Sequence, residues 1–153
     1  MLTIVPATRQ HLGPIAGAMR DADREEVMAA SGLSPEVALS MSFEVSTRCW
    51  TALDGDTPFI MFGVAPFPGL VDTGSPWLLG TPRIAEVPSF FLRNSRPIVS
   101  QMLDEYTTLI NFVDCRNRLS VRWLQWCGFT LVDYLHEFGV ARIPFYQFSY
   151  IKG

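Results

Sequence analysis

Proton transfer, phosphate binding, metal ligation and thiol chemistry each need particular side chains, and this chain offers few of them. Its histidines are His11 and His136, and its cysteines are Cys49, Cys115 and Cys127, with no C-x-x-C spacing. That set predicts neither a zinc site nor a disulfide framework, and the thiols are expected to be buried in a reducing compartment. Glu86, Glu105, Asp114 and His136 qualify by type as proton acceptors, while Tyr106 and Tyr134 are phenols that serve either as proton donors or as core and rim aromatics. The stretch Arg93-Asn94-Ser95-Arg96 precedes a proline that suits a helix start. Two guanidinium groups beside a helix N-terminus can hold a phosphate; the alternative is two ordinary surface cations on an irregular connection. The mixed run Asp21 to Glu26 reads as a solvated helix face rather than as a metal-binding cluster.

The elements that must position these groups follow from periodicity and turn chemistry. Leu2 to Val5 predicts a strand, and Thr8 offers an N-cap before Leu12, Ile15, Ala16 and Met19 at helical spacing. Ser34-Pro35-Glu36 carries a capping hydroxyl, a proline for the first helical position and an acid near the positive end of the dipole. Val37, Met41 and Val45 then share one face. Trp50 to Leu53 and Phe59 to Ala65 flank Asp54-Gly55-Asp56 and predict a hairpin. After a loop from Pro66 to Pro76, Trp77 to Gly80 reads as a strand, and a long connection leads to a helix starting near Pro97. Leu109 to Val113 suits a buried strand, Asn117 to Trp126 a helix ending at Gly128, and Phe129 to Leu135 and Ala141 to Tyr150 two closing strands. Pro144 marks an edge or a bulge in the last of these. The order predicts an α/β fold, a mixed central sheet flanked by about four helices, in a single domain over 1–153.

Composition sets limits on function. With 153 residues, 48% hydrophobic and 18% charged, the chain fits one buried core. Eleven Phe, four Trp and four Tyr need burial or a partner, and rings among Phe67, Trp77, Phe90, Phe91, Trp126, Phe145 and Tyr146 are candidates for an exposed interaction patch. A net charge of −3 argues against nucleic-acid binding. The longest apolar tract, Phe59 to Val71, is broken by Gly and Pro and is too short for a membrane helix. The opening Met1-Leu2-Thr3-Ile4-Val5-Pro6 lacks the basic and apolar segments of a secretory signal, so the protein is expected to stay inside a cell.

Val113, Asn117, Ser120, Gly128 and Phe129 reproduce the spacing V-x-x-x-N-x-x-[SA]-x-x-L-Y-x-x-x-G-F. With the element order, the sequence from Leu2 to about Tyr150 resembles the GNAT superfamily of acetyl-coenzyme-A-dependent N-acetyltransferases. Trp123-Leu124 before Gly128-Phe129 is similar to a form found in small GNAT-like proteins of tailed bacteriophages, related to an internal virion protein of short-tailed phages. The resemblance implies a GNAT-like fold, acetyl-CoA as the cofactor to consider, and Arg93, Asn94, Ser95, Arg96 and Asn117 as the residues to hold it. Physically, Asn117 can also cap its helix, Ser120 permits close packing and Gly128 supplies a left-handed turn. Two features of the superfamily are missing: no [QR]-x-x-G-x-[GA] loop follows Trp77 to Gly80, and Leu124 stands where a proton-donating Tyr is common. Those departures imply a degenerate cleft in a phage protein with a virion-associated or morphogenetic role. Its partner would be another virion protein or a host protein, and its location the cytoplasm of an infected bacterial host or the virion. The alternative is an active acyl-CoA-dependent N-acetyltransferase acting on an amine of a host protein or small molecule.

Overall fold

A computed structural model describes residues 1–153. Seven strands, β1 (Leu2–Pro6), β2 (Arg48–Asp54), β3 (Thr57–Pro66), β4 (Thr73–Gly80), β5 (Thr108–Asp114), β6 (Thr130–Phe138) and β7 (Ile143–Ile151), form one sheet in the order β1-β2-β3-β4-β5-β7-β6. Five helices flank it: α1 (Leu12–Gly17), α2 (Asp21–Ser31), α3 (Pro35–Val45), α4 (Pro88–Glu105) and α5 (Arg118–Trp126). Alternation along the strands sends side chains to two cores. Met61 and Leu79 meet Ile15 and Ala16 of α1, Met19 after it and Leu39 of α3 on one face. On the other, Ala52, Ile60, Phe62 and Val64 meet Ile98, Val99, Met102 and Leu103 of α4 and Leu124 of α5. No helix is long and apolar enough to cross a membrane.

The predicted hairpin is present, with Gly55 at φ 60° in its turn. Ser34 caps α3 by accepting the Val37 N–H at 3.2 Å, and Gly128 takes a φ of 101° after α5. Pro144 sits at a bulge, where the β6–β7 register shifts between Leu135 and Phe138. Other expectations are corrected. Val37, Met41 and Val45 share one face of α3 as expected, but it is the exposed face, and Ala38 and Leu39 pack inward. The expected aromatic patch is not assembled either: Phe145 is fully buried and Trp126 alone of the named rings is exposed.

The largest correction concerns α4. It begins at Pro88, so Arg93, Asn94, Ser95 and Arg96 lie in its middle turns rather than before its N-terminus. Pro97 is an internal helix residue, tolerated because it and Arg93, whose carbonyl loses its usual donor, are both on the exposed side. The connection from β4 is correspondingly short, Thr81 to Val87, and contains a 3-10 turn at Pro82–Glu86.

The β6–β7 turn docks on the C-terminal end of α2, where Val140 and Ala141 N–H groups donate to the Ala30 and Ala29 carbonyls at 3.3 and 3.0 Å. Gly139 makes this approach possible, with φ 73° and room for no Cβ, which would lie 2.4 Å from the Ala29 oxygen. Gly139→Ala is therefore expected to cost more than about 2 kcal/mol. Thermal unfolding should show a midpoint at least about 4 °C lower.

Candidate functional site: the gap between β4 and β5

β4 and β5 run parallel but pair only at Thr73 with Thr108 and Gly74 with Leu109. Beyond that point they diverge, and each exposes ladder groups that have lost a partner. In the β3–β4 register, the odd-numbered β4 residues bond β3, as the flanking bonds Phe67 N–H to Thr73 O and Thr81 N–H to Phe59 O require. The N–H and C=O of Leu78 and Gly80 consequently point into the gap.

Side chains close the far end of the gap. Gly80 N–H donates to Asp23 Oδ2 at 3.0 Å, and the Gly80 carbonyl accepts the Arg20 N–H at 2.9 Å. Across the gap, Asp114 N–H donates to Glu26 Oε1 at 3.0 Å. Nearer the closed end, Asn111 donates its Nδ2 to the Pro76 carbonyl at 2.7 Å and accepts the Phe112 N–H at 2.8 Å. On the β4 edge Leu78 keeps both its backbone N–H and its C=O facing the open gap. Asp23 and Glu26 stand three residues apart on α2 and so project together, each tying down one of the two diverging strands.

Asn117 joins these acids, donating to Asp23 Oδ1 and Glu26 Oε1 at 3.2 Å each. Its Oδ1 accepts from Arg20, 3.3 Å away, and Arg20 pairs with Asp23 at 2.8 Å. Asn117 is therefore not a side-chain helix cap as expected; its amide is fully engaged by α2, while its backbone carbonyl accepts the Val121 N–H. Asp114 is buried and pairs with the exposed Arg116 at 2.7 Å.

The expectation of a fully solvated face for Asp21 to Glu26 is thus overturned: Asp23 is 1% exposed and Glu26 is half-buried. The readable signal was positional, because Asp23, Glu26 and Ala30 share the α2 stripe that also bears the apolar Val27. Burial, reinforced by the nearby Asp23 and Asp114 charges, pushes the Glu26 carboxyl up to about 8 against the opposing Asp114 N–H and Asn117 bonds. Burial raises Asp23 as well, outweighing Arg20.

An acid raised on folding holds a proton that the unfolded chain has released. Between the ordinary carboxyl range and about pH 8, stability therefore falls as pH rises. Glu26→Gln keeps an acceptor for Asp114 N–H and removes the titration. Its melting temperature should vary less from pH 5 to 8.5 than that of the native chain, by roughly 5 °C.

A cavity of about 250 Å³ occupies the gap and passes through the sheet. On the α4 and α5 side Asn94, Ser95, Ser120 and Trp123 line it; on the α2 and α3 side Glu26, Val27 and Ala30 do. Glu26 is the one charged residue in its wall. Glu26 Oε2 accepts no hydrogen bond, yet no sealed side-chain polar atom lacks a partner, so Oε2 opens onto accessible space.

The other candidates have structural partners. Ser95 is buried, accepting Trp123 Nε1–H at 2.8 Å and donating to the Phe91 carbonyl, which locks α4 against α5. Asn94 donates to the Phe90 carbonyl. Arg96 donates to the Trp126 carbonyl at 2.9 Å and lies over the indole at 4.1 Å. Arg93 is exposed, as is His136. Tyr106 is buried against Thr47, and Leu124 is buried in the cavity wall. Glu105 bonds Thr47, and Glu86 pairs with Arg83. Cys49 and Cys127 are free, and burial pushes both thiols up to about 12.

No family model matches the sequence, and no curated protein is similar to it in sequence. Solved structures are similar in three dimensions. An N-acetyltransferase from Staphylococcus aureus Mu50 superposes with a TM-score of 0.76 at 15% identity, over 99% of this chain and 98% of its own. A ribosomal-protein-alanine N-acetyltransferase from Brucella melitensis gives 0.74 at 14%, over 97% and 99%. A GNAT superfamily phosphinothricin acetyltransferase from Sinorhizobium meliloti, in complex with acetyl-CoA, gives 0.74 at 14%, over 99% and 89%. The chain has the GNAT fold: an α/β architecture with a seven-stranded mixed sheet splayed between β4 and β5.

Proposed function

We propose that this protein is an acyl-CoA-dependent N-acyltransferase whose two substrates meet in the gap between β4 and β5. The observation that carries this reading is the through-sheet cavity with Glu26 as the one charged residue of its wall. The residues present fit a pantetheine thioester. Leu78 offers an unpaired strand N–H and C=O to an amide-bearing chain, and the α4–α5 side is lined by apolar side chains with Asn94 and Ser120 among them. At the start of α4, Pro88 lacks an N–H, which leaves those of Ser89 and Phe90 for a phosphate.

When bound, acyl-CoA supplies an acyl group activated as a thioester. The chain's own contribution is to hold the amine against Glu26 and to take one N–H proton on Oε2. A base with its pKa near 8 does this best in mildly alkaline solution, so turnover should rise with pH and level off above about 8. Glu26 is the one acid or base in the cavity wall, so both taking and returning the proton fall to it.

Release of free CoA thiol from acetyl-CoA in the presence of primary amines tests the reading. The native chain should turn over, and Ser120→Trp, which places an indole in the cavity wall, should not. Amine-independent background alone from the native chain would contradict it.

A second reading, a phage virion-associated or morphogenetic protein with a degenerate cleft, is favoured by Leu124 at the position where the resemblance puts a phenol and by Pro88 at the first position of α4. Under it, the protein would copurify with particles and release no thiol.

A further inference from the structure

The two ends of the cavity differ in chemistry. On the α2 and α3 side its wall includes Val27, Ser42, Trp77, Phe112, Phe138 and Phe145. The rings of Phe112 and Phe138 stack with centroids 4.6 Å apart, and Phe138 and Phe145 are also 4.6 Å apart, making a continuous aromatic wall. Glu26 is the single charge facing this space.

This pattern selects among amines. An acceptor bearing a carboxylate or phosphate would meet no cation in the wall and would face the Glu26 carboxylate. A polyamine would bury a second ammonium with no partner. A monoamine on an aromatic or branched apolar body satisfies both features, its nitrogen against Glu26 Oε2 and its body on the rings. Building on the acyl-transfer reading, we infer that the acceptor is a small primary monoamine carried on an aromatic or bulky apolar group, without an anionic substituent, bound between Glu26 and the Phe112–Phe138–Phe145 wall.

The test is calorimetric titration of the full chain above about pH 8, where the Glu26 carboxyl is ionised, with and without CoA, using phenethylamine as the probe. Comparison ligands are phenylalanine, which adds a carboxylate, spermidine, which adds ammonium groups, and 2-phenylethanol, which removes the charge. Phenethylamine should bind at least about tenfold more tightly than each. Glu26→Gln should erase the preference over 2-phenylethanol, and Phe138→Leu should weaken phenethylamine several-fold while leaving CoA binding unchanged. Phenylalanine or spermidine binding as tightly as phenethylamine would overturn the inference. So would no phenethylamine heat from a protein that does bind CoA, an outcome that leaves the acyl-transfer reading intact. Phenethylamine binding with no CoA binding would instead sink that reading and keep the amine site.

Discussion

Asp23→Ala is expected to destabilise the protein by about 3–5 kcal/mol, the cost of removing one member of a buried ion pair. The Arg20 side chain is only 14% exposed and loses the carboxylate 2.8 Å away. The Gly80 N–H and one Asn117 amide bond lose their acceptor at the same stroke. The thermal midpoint should fall by about 10 °C. Arg20→Met with Asp23→Leu should recover a large part of that loss, since the pair then disappears without leaving an uncompensated charge. An Asp23→Asn protein as stable as the native chain would show that the carboxylate charge contributes nothing and that the hydrogen bonds alone hold β4.

Glu26→Gln is expected to lower amine-dependent turnover by ~10²–10⁴-fold, the usual contribution of a positioned proton acceptor. The fold should survive, because the Gln carbonyl oxygen can still accept from Asp114 N–H and Asn117. Acyl-CoA affinity should stay within about threefold, since Glu26 lies on the α2 side of the gap and the binding groups named above lie on β4, α4 and α5. The residual rate should lose its rise with pH. A Glu26→Gln protein with native turnover and a native pH profile would assign the proton to solvent, and the role of α2 would shrink to holding the strands apart.

Local signals made most of the fold legible. Asp54-Gly55-Asp56 between two apolar runs can form little but a hairpin, Ser34-Pro35-Glu36 little but a helix start, and Gly128 with Phe129 a left-handed exit into a strand. The start of α4 was not legible, because a proline suits a first turn and only the exposed side on which Pro97 falls allows it inside the helix. That misplacement moved Arg93 to Arg96 to a helix end they do not occupy. The acids of α2 failed for a different reason. Asp23 and Glu26 look solvated until the divergence of β4 and β5 leaves Gly80 and Asp114 N–H groups in need of acceptors, and that divergence is long-range geometry. The partners of Asn117 were not legible, since they lie 94 and 91 residues away in sequence.

If the gap between β4 and β5 is an acyl-CoA site, isothermal titration of the native chain with acetyl-CoA will detect it. One site per chain is expected, with a Kd in the micromolar range, about −8 kcal/mol, lost in Ser120→Trp. No heat at millimolar acetyl-CoA, from a protein that melts cooperatively in the same buffer, would contradict it.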